Sequence, residues 1–528
     1  MHADKDVAVG IFTTDVCIIG GGPTGLFTGL LLHRLGVSIC VIDAKPGPLE
    51  LGRADALNAR TQQYLEVADL LDELLPVGLK CNTSSTFAEG EFKSRQNAWW
   101  VGLEHALHKN FLMVGQPVIE KMLASRLAGL VRFGEEVVSI TEDESSVEVV
   151  TDCGLKVRSK YAVGSDGARS LVRKQIGAAF TGTKPEMLWA VLDTFIDTDF
   201  PACPEIITFE HNGQSRVSWI PRERGMCRFY VLLEGRVSQA LAEESIKKHL
   251  APHSVEFKKT EWYSTFEVKE RIASTFVSRD GAGRILLAGD AAHVHSVNGG
   301  QGLNTGMSDA FGLAWRLATA VSDAPQLQRG AAETILRSYD TERRSIARDV
   351  IDVAARLVRH TVHTAEQYVG TIEKNAGYIT GMGVTYSESA SPLVKASELG
   401  PWKAGNRCPD MIVAHADGGE TRLYTEASYG KYIVLQVGKG EDASADFGFR
   451  HVAEIYRVAP STAARADSGS ATASAATASA TGRDRRYIAD WVAGDQAYFV
   501  VVRPDMYIGF VGRDKLEAQQ YLADLYLT

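Results

Sequence analysis

Three glycines and one acid near the start of the chain have the spacing of a phosphate-binding site. Gly20, Gly22 and Gly25 form a GxGxxG pattern, and Asp43 follows 18 residues after the last of them. Such glycines let the backbone turn tightly against a pyrophosphate, while the helix that follows supplies free N–H groups and a positive dipole. An acid at position 43 can accept from a free ribose 2′-hydroxyl, so the pattern predicts FAD or NAD before NADP.

The residues around this pattern predict the elements that position it. Residues 15–43 read as a strand (VCII), a turn (GGGPTG), a helix (LFTGLLLHRLG) and a second strand (VSICVID). A βαβ unit of this kind is the expected context for a nucleotide-binding turn. A tight turn whose glycines serve only packing is the structural alternative.

The remaining chain predicts further helices and two separate strand-rich regions. Helices are expected over 61–75, 118–130, 303–321 and 331–360, and strands over 131–163, 187–233 and 284–289. Because the two strand-rich regions are separated, we expect a sheet domain interleaved with a nucleotide domain that is discontinuous in sequence. The segment 461–482 is rich in Ala, Ser and Thr and cannot bury enough apolar surface to fold, which predicts a flexible insertion.

Composition and charge indicate which partners the protein should have and in which compartment it should lie. The 528 residues include 56 Lys and Arg against 65 Asp and Glu, a net charge of -9, so we expect no nucleic acid partner. Seven cysteines without a CxxC pair fit a reducing compartment. With no secretion signal and no apolar run of ~18 residues, we expect a soluble, cytoplasmic protein without membrane contact.

Two further segments resemble those of a known enzyme family. RILLAGDAAHVHSVNGGQGLNTGMSDAFGLAWRLA at 284–317 resembles the second FAD-binding motif of single-component flavoprotein aromatic hydroxylases. YAVGSDGARSLVR at 161–173 is similar to their DG motif, which serves FAD and NADPH. The resemblance implies an FAD enzyme, reduced by NADPH or NADH, that uses O2 to hydroxylate a phenolic ring through a C4a-hydroperoxyflavin.

The resemblance also implies which residues contact the cofactor. Beyond the first motif they are Arg53, Gln116, Asp166, Gly289, Asp290, Gly300, Gly302, Leu303 and Asn304. Asp290 would accept from the ribityl hydroxyls, and a helix beginning near Leu303 would direct its positive end at the flavin ring. Asp290 as a helix cap and Arg53 as a solvated charge are the structural alternatives, and His293 and His295 are assigned no catalytic role.

Three residues match the phenol site of one branch of the family, which contains phenol 2-monooxygenase and 3-hydroxybenzoate 4-hydroxylase. They are Asp55 in GRADALNART, Arg222 in IPRER and Tyr230 in CRFYVLL. Asp55 would polarise the phenol with Tyr230, and Arg222 would position Tyr230 or bind a substrate anion. Structurally, the three could instead be a helix N-terminal acid, an exposed turn charge and one member of an alternating strand. The chain departs from the family at Ser296 and Val297, where a proline pair is common.

The predicted fold class is α/β, with a Rossmann-like FAD-binding domain, an interleaved β-sheet substrate domain and a C-terminal thioredoxin-like domain. The boundaries are 10–185 and 280–400 for the first, 186–279 with contributions from 76–115 for the second, and 401–528 for the third. GYITGMGVTYSES, GNRCPD and VVRPDMYIGFVG resemble the thioredoxin-like C-terminal region of the larger family members. Without a CxxC pair we assign this domain to packing or to a homodimer.

Other chemistries stay open at this stage. The same scaffold could carry out oxidative decarboxylation or a Baeyer–Villiger-type oxygen insertion on an aromatic or polyketide-type substrate. A flavin-binding redox sensor without catalysis is the competing class. The sequence identifies neither the substrate, nor the ring position attacked, nor the preference between NADH and NADPH.

Overall fold

The computed structural model describes eleven stretches of the chain. They are residues 11–97, 107–201, 205–235, 237–296, 300–322, 326–360, 365–415, 418–438, 447–461, 484–493 and 497–527. The predicted insertion at 461–482 lies outside them apart from residue 461, and so does Val297. None of the helices in these stretches combines the length and the apolar character needed to cross a bilayer.

Strands and helices are numbered along the chain. The first strands are β1 Ile11–Ile19, β2 Ile39–Asp43, β3 Ala56–Leu57, β4 Leu79–Cys81, β5 Ser84–Ala88, β6 Glu91–Gln96, β7 Phe111–Met113, β8 Val131–Phe133, β9 Val137–Glu142, β10 Val147–Thr151, β11 Lys156–Gly164 and β12 Phe180–Thr183. The next are β13 Leu188–Thr198, β14 Ile206–His211, β15 Gln214–Pro221, β16 Cys227–Leu233, β17 Val255–Glu267, β18 Glu270–Ala273, β19 Ile285–Leu287 and β20 His293–Val294. The last are β21 Glu398–Leu399, β22 Trp402–Lys403, β23 Ile412–Ala414, β24 Glu420–Arg422, β25 Tyr432–Gly438, β26 Ala453–Pro460, β27 Asp484–Ala489, β28 Ala497–Val502 and β29 Ile508–Gly512.

The helices connect and cover these strands. They are α1 Pro23–Arg34, α2 Ala59–Val67, α3 Leu71–Leu74, α4 Gln116–Ser125, α5 Leu171–Gln175, α6 Gln239–Leu250, the single turn α7 Ser278–Gly281, α8 Gln301–Ser322, α9 Ala331–His360, α10 Ala365–Lys374, α11 Ala376–Ile379, α12 Leu423–Glu426 and α13 Lys515–Ala523.

The first large sheet carries the N-terminal motif. Its strands lie in the order β8-β2-β1-β11-β10-β9, and β19 also pairs with β11. All pairs from β8 to β11 and the β19 pair are parallel, whereas β10 and β9 run antiparallel. Helices α1 and α8 pack together through the stacked rings of Phe27 and Phe311. The carboxyl ends of β1 and β19 therefore lead into loops at one edge, where ligands bind in open α/β sheets.

A second, mostly antiparallel sheet has the order β17-β13-β16-β15-β14-β5-β6. One of its faces is apolar and packs on α6, with Phe229 and Val231 fully buried there. Side chains alternate along a strand, so Arg228 and Tyr230 lie on the opposite face. Strands β5 and β6 come from a segment far upstream, and β14 pairs with β5 in parallel. Two distant parts of the chain thus build one sheet.

A third sheet belongs to the C-terminal part, in the order β24-β23-β27-β26-β25-β28-β29. Strand β25 is parallel to β26 and antiparallel to β28, and α13 follows β29. Three small sheets complete the fold: β12-β18-β20, β3-β7-β4 and β21-β22.

The helix bounds show where local sequence decides structure and where it does not. The helix expected over 331–360 is confirmed as α9. The single helix expected over 61–75 is wrong, because the chain breaks into α2 and α3. Asp69, between them, has a φ of +48°, which no right-handed helix accommodates.

Candidate flavin and substrate site

The glycine turn after β1 is closed so tightly that side chains would not fit. Gly20 has a φ of +111°, and a Cβ at Gly25 would lie 1.9 Å from the Gly20 carbonyl oxygen. Ser165, at the end of β11, donates from its hydroxyl to the carbonyls of Ile19 and Gly20 at 3.0 and 3.1 Å. The turn is therefore built from two neighbouring strand ends, as the GxGxxG pattern predicts.

The start of α1 is open, as a phosphate site requires. A Cβ at Gly22 would meet no atom within 4 Å. No side chain caps this helix, and its first turn holds no acid. The free N–H groups and the positive dipole end thus fit an anionic group such as a pyrophosphate.

Asp43, the last residue of the neighbouring strand β2, forms hydrogen bonds that hold the same turn. Its carboxylate accepts hydrogen bonds from the backbone N–H of Gly21 and, at 2.7 Å, from that of Lys45. The side chain is buried beside the glycine turn. Its predicted contact with a ribose stays a prediction.

Asp290 lies where β19 ends, on a 3-10 turn at Gly289–Ala291. Gly289 and Ala291 are buried, whereas Asp290 is exposed, so its carboxylate is open to a bound molecule. Desolvation by the protein around this carboxylate raises the pKa of Asp290, and the nearby charges of His293 and Arg53 oppose this rise. Asp290 and Arg53, both predicted to contact FAD, thus lie close enough to interact.

The residues that hold this turn were not predicted from the sequence. Asp309 on α8 accepts from Gly289 N at 2.9 Å, from Arg343 Nε at 2.7 Å, and contacts His293 Nε2 at 2.8 Å. All of these groups are buried. Asp309 therefore holds the Asp290 turn in place, and His293 is one of its buried partners.

The N-terminal end of α8 lies against the segment that follows Asp55. Asn304 accepts from Asn58 N at 2.9 Å and donates to the carbonyls of Ala56 and Gly300 at 2.9 and 2.7 Å. The helix begins at Gln301, two residues before the predicted start, with no acid in its first turn. Gly300 is exposed, Gly302 is partly buried and Leu303 is buried.

Gln116 and Asp166 contact protein groups. Gln116 binds the backbone of Ala54 through its own N–H and its side-chain oxygen, at 2.8 and 3.2 Å. One oxygen of Asp166 accepts from the N–H groups of Leu171 and Val172 at 2.7 and 3.1 Å. Its other oxygen is buried without a partner among the described residues, and burial raises the pKa of Asp166. A hydroxyl donor from a bound molecule would suit that oxygen.

Asp55 lies beside a buried pair of charges from the second sheet. Arg228 on β16 binds both carboxylate oxygens of Asp193 on β13, each at 2.6 Å. The third nitrogen of Arg228 donates to the carbonyl of Arg53 and lies 3.4 Å from Asp55. Oδ2 of Asp55 accepts no hydrogen bond from the described residues. Sequence reasoning missed Asp193 and Arg228, although an arginine between apolar residues of a strand was a usable signal.

Arg222 and Tyr230 adjoin this pair. Arg222 binds both oxygens of Glu223, at 2.9 and 2.8 Å, and lies 3.3 Å from Asp193. Burial and the charge of Asp55 raise the pKa of Tyr230 to about 12, with Arg228 opposing. The structure therefore brings Asp55, Arg222 and Tyr230 into one electrostatic cluster.

The cluster holds one more acid than base. Arg222 and Arg228 face three acids, Asp55, Asp193 and Glu223, which leaves an excess of one negative charge when all are ionised. Burial raises the pKa of Asp55; the two arginines lower it, and the other two acids raise it again. The net direction is upward.

A comparison with protein families decides the assignment of the cofactor motif. A family described as FAD binding domain matches residues 13–354. The chain belongs to this FAD-binding family. The match spans the glycine turn, the DG segment and the Asp290 turn, and it supports FAD as the cofactor.

Relatives of known activity place the chain among the aromatic hydroxylases of that family. Phenol 2-monooxygenase from Aspergillus fumigatus is 28% identical over 80% of this chain and 75% of its own length. 3-Hydroxybenzoate 4-monooxygenase from Comamonas testosteroni is 28% identical over 65% of this chain and 58% of its own length. The predicted resemblance to FAD-dependent aromatic monooxygenases is confirmed.

A solved structure shares the architecture over nearly the whole chain. Anhydrotetracycline hydroxylase from Streptomyces rimosus aligns with a TM-score of 0.68 at 25% identity, covering 98% of this chain and 99% of its own. The α/β fold of an FAD-binding aromatic hydroxylase, with mixed sheets, is thus confirmed.

Proposed function

We propose that this protein uses NADPH or NADH and O2 to hydroxylate the ring of a phenolic substrate next to bound FAD. The observation that carries the proposal is Asp55, a buried carboxylate whose Oδ2 accepts no hydrogen bond from the described residues and lies 3.4 Å from Arg228 of the Arg228–Asp193 pair. FAD bound there and reduced by a nicotinamide would activate O2, so that one atom of O2 enters the ring and the other leaves as water. Asp55, supported by residues of the second sheet, makes the ring receptive to this oxygen atom.

Asp55 acts as the acceptor for the phenol hydroxyl. An ordinary carboxyl pKa of ~3.9 lies about six units below that of a phenol, a gap of roughly 8 kcal/mol, so outright deprotonation is unfavourable. Burial raises the pKa of Asp55 and narrows this gap. A hydrogen bond to Asp55 then pushes electron density into the ring without full proton transfer.

Tyr230 acts as a hydrogen-bond donor, because its pKa of about 12 keeps its hydroxyl protonated near neutral pH. Its hydroxyl cannot serve as the base. Arg228 holds the Asp193 carboxylate and limits the repulsion that Asp55 experiences, which makes Arg228 a positioning residue. Arg222 is held by Glu223 and supports Asp193 from the other side.

We further propose that the C-terminal part is thioredoxin-like and serves packing within a homodimer. The strand order β26-β25-β28-β29, followed by α13, supports such a fold. All six described cysteines are free thiols, which argues for packing rather than disulfide chemistry.

The function is tested by screening phenols, hydroxybenzoates and multi-ring aromatic compounds with purified holoenzyme. We expect at least one class to accelerate NADPH or NADH oxidation, with hydroxylated product exceeding hydrogen peroxide. Product mass separates the outcomes, since decarboxylation also loses CO₂ and ring insertion changes the skeleton. A flavin that neither nicotinamide reduces, with or without these compounds, contradicts the proposal and favours a flavin-binding sensor.

Replacing Asp55 tests its role in the reaction. We expect Asp55→Ala to bind FAD normally and to form product about 10² to 10⁴ times more slowly, with peroxide released instead. Asp197→Asn, an exposed acid on β13, is the matched control and should be unaffected. Coupled turnover at the normal rate in Asp55→Ala would remove Asp55 from the mechanism.

A further inference from the structure

Trp262, Asp193 and Arg228 form one row across the second sheet. The strand register pairs Asp193 on β13 with Trp262 on β17 and with Arg228 on β16. Directly paired residues of neighbouring strands direct their side chains to the same face, so all three lie on the face opposite α6. The indole of Trp262 also contacts Arg228, whose Cζ lies 5.3 Å from the ring centroid. Trp262 therefore extends the row that carries the buried Arg228–Asp193 pair.

The turn at Gly52 and Arg53 packs on this row. A Cβ added to Gly52 would lie 2.2 Å from Cε2 and 2.4 Å from Cδ2 of Trp262, so the indole packs directly against the backbone of Gly52. Arg228 donates from Nη1 to the carbonyl oxygen of Arg53. The indole and the guanidinium thus support two successive residues of the turn.

The backbone of this turn needs such support. The φ angle is +75° at Gly52 and +67° at Arg53. Glycine adopts this left-handed region readily, but for Arg53, which has a Cβ, the region is unfavourable and persists only where the surrounding structure imposes it. The contacts from Trp262 and Arg228 impose it from the side of the sheet.

Hydrogen bonds from the start of α4 hold the chain directly after the turn. Gln116 binds the N–H and the carbonyl of Ala54, at 3.2 and 2.8 Å. Val114 N donates to the carbonyl of Asp55 at 2.9 Å. Ala54 and Asp55 are therefore fixed by α4, whereas Gly52 and Arg53 are fixed by the second sheet.

The turn carries two side chains with different predicted partners. Asp55 is buried, 3.4 Å from Arg228, and is the proposed acceptor for the phenol hydroxyl. Arg53 is exposed, and its charge opposes the rise in the pKa of Asp290, so it lies on the predicted flavin side. A displacement of the turn would therefore move a substrate group and a cofactor group together.

We propose that Trp262 is a positioning residue of the hydroxylation site, which supports the turn at Gly52 and Arg53 and thereby places Asp55 and Arg53. An indole offers a broad, rigid surface to a Cα that has no side chain. Trp262 acts through the turn and not by contact with the substrate. This inference rests on the proposed function of Asp55.

Coupled turnover of the holoenzyme tests the effect on the reaction. Trp262→Ala should lower the ratio of hydroxylated product to hydrogen peroxide about 10-fold or more, because a small displacement of Asp55 misplaces the phenol. Nicotinamide oxidation at saturating substrate should change much less, which a general loss of folded protein would not produce. Trp262→Phe keeps an aromatic ring and should recover most of the ratio. Phe257→Ala, in the apolar cluster on the other face of β17, is the matched control and should keep it.

Amide hydrogen exchange, followed by mass spectrometry on the holoenzyme, tests the support of the turn without any substrate. We expect Trp262→Ala to accelerate exchange at 49–56 about 10-fold or more, with distant segments unchanged and with Trp262→Phe close to wild type. Faster exchange there in an enzyme that hydroxylates no aromatic compound would support the structural role of Trp262 and contradict the proposed function alone.

Three results would overturn the role of Trp262. The first is unchanged exchange at 49–56 in Trp262→Ala. The second is a normal ratio of product to peroxide in that variant. The third is a uniform rise in exchange, with all rates falling together and no recovery in Trp262→Phe, which would show a general loss of stability instead of a displaced turn.

Discussion

At the scale of single residues, four carboxylates of the candidate site differ in how many of their oxygens already accept hydrogen bonds from the protein. Asp193 has both oxygens engaged by Arg228, and Asp309 is fully occupied by protein groups. Oδ2 of Asp55 accepts no hydrogen bond from the described residues and only lies 3.4 Å from Arg228, and Asp290 is exposed. Only the last two can therefore accept hydrogen bonds from a bound molecule without breaking existing ones.

Loss of the Asp290 carboxylate should weaken FAD binding. We expect Asp290→Ala to raise the FAD dissociation constant about 10- to 100-fold, since one hydrogen bond to a charged group contributes about 1.5–3 kcal/mol. Flavin fluorescence on titration of the apoprotein measures this constant. Asp280→Asn, an exposed acid nearby in sequence, is the control. A fully yellow variant with an unchanged constant would remove Asp290 from the cofactor site.

His295 should make stability depend on pH between about 4 and 6.5. Burial lowers its pKa to about 4, against ~6.5 in an unfolded chain. In that window the unfolded state binds more protons, so stability rises with pH and falls on acidification, by about 1–2 kcal/mol at pH 5. His295→Gln should flatten the melting temperature over this range, and the exposed His415→Gln should not. Parallel profiles for wild type and His295→Gln would contradict the assignment.

Some of the site residues could be predicted from the sequence, and others could not. The glycine turn and the Asp290 turn each lie in one short segment, so their spacing carries the signal. Asp193 and Arg228 are 35 residues apart and meet only because β13 and β16 pair in one particular register. A register is decided by the packing of the whole sheet, which local patterns do not reveal.

At the scale of elements, α9 is fastened to the C-terminal part by a buried cluster of charges. Glu342 binds Arg503 at 2.6 and 2.8 Å and Arg316 on α8 at 2.6 Å, and Asp505 closes the cluster on both arginines. All four side chains are at most 4% exposed. The two acids and two arginines balance, so the cluster is neutral when complete.

Breaking this cluster should be costly. Glu342→Gln leaves one buried arginine charge uncompensated, and we expect a loss of about 3–5 kcal/mol. Glu333→Gln, on the exposed side of the same helix, removes a surface pair with Arg337 and should cost at most about 0.5 kcal/mol. Urea unfolding followed by tryptophan fluorescence measures both. Equal midpoints for the two variants would show that the cluster contributes little.

At the scale of the whole molecule, the FAD-binding and C-terminal parts share one continuous apolar core. Phe311 on α8 packs with Tyr429, and Arg60 reaches Tyr424, 364 residues further along the chain. Contacts over such separations follow from tertiary packing and cannot be read from local periodicity. The C-terminal part therefore contacts α8, the helix whose N-terminal end is predicted to face the flavin.

The origin of the oxygen atom in the product tests the central claim most directly. The holoenzyme is supplied with NADPH or NADH, the best substrate of the screen and ¹⁸O₂, and the product is analysed by mass spectrometry. We predict that the aromatic product carries one ¹⁸O atom for about each nicotinamide oxidised. Product without the label, or nicotinamide oxidation that yields only peroxide with every aromatic compound tested, would contradict a flavin-dependent aromatic hydroxylase.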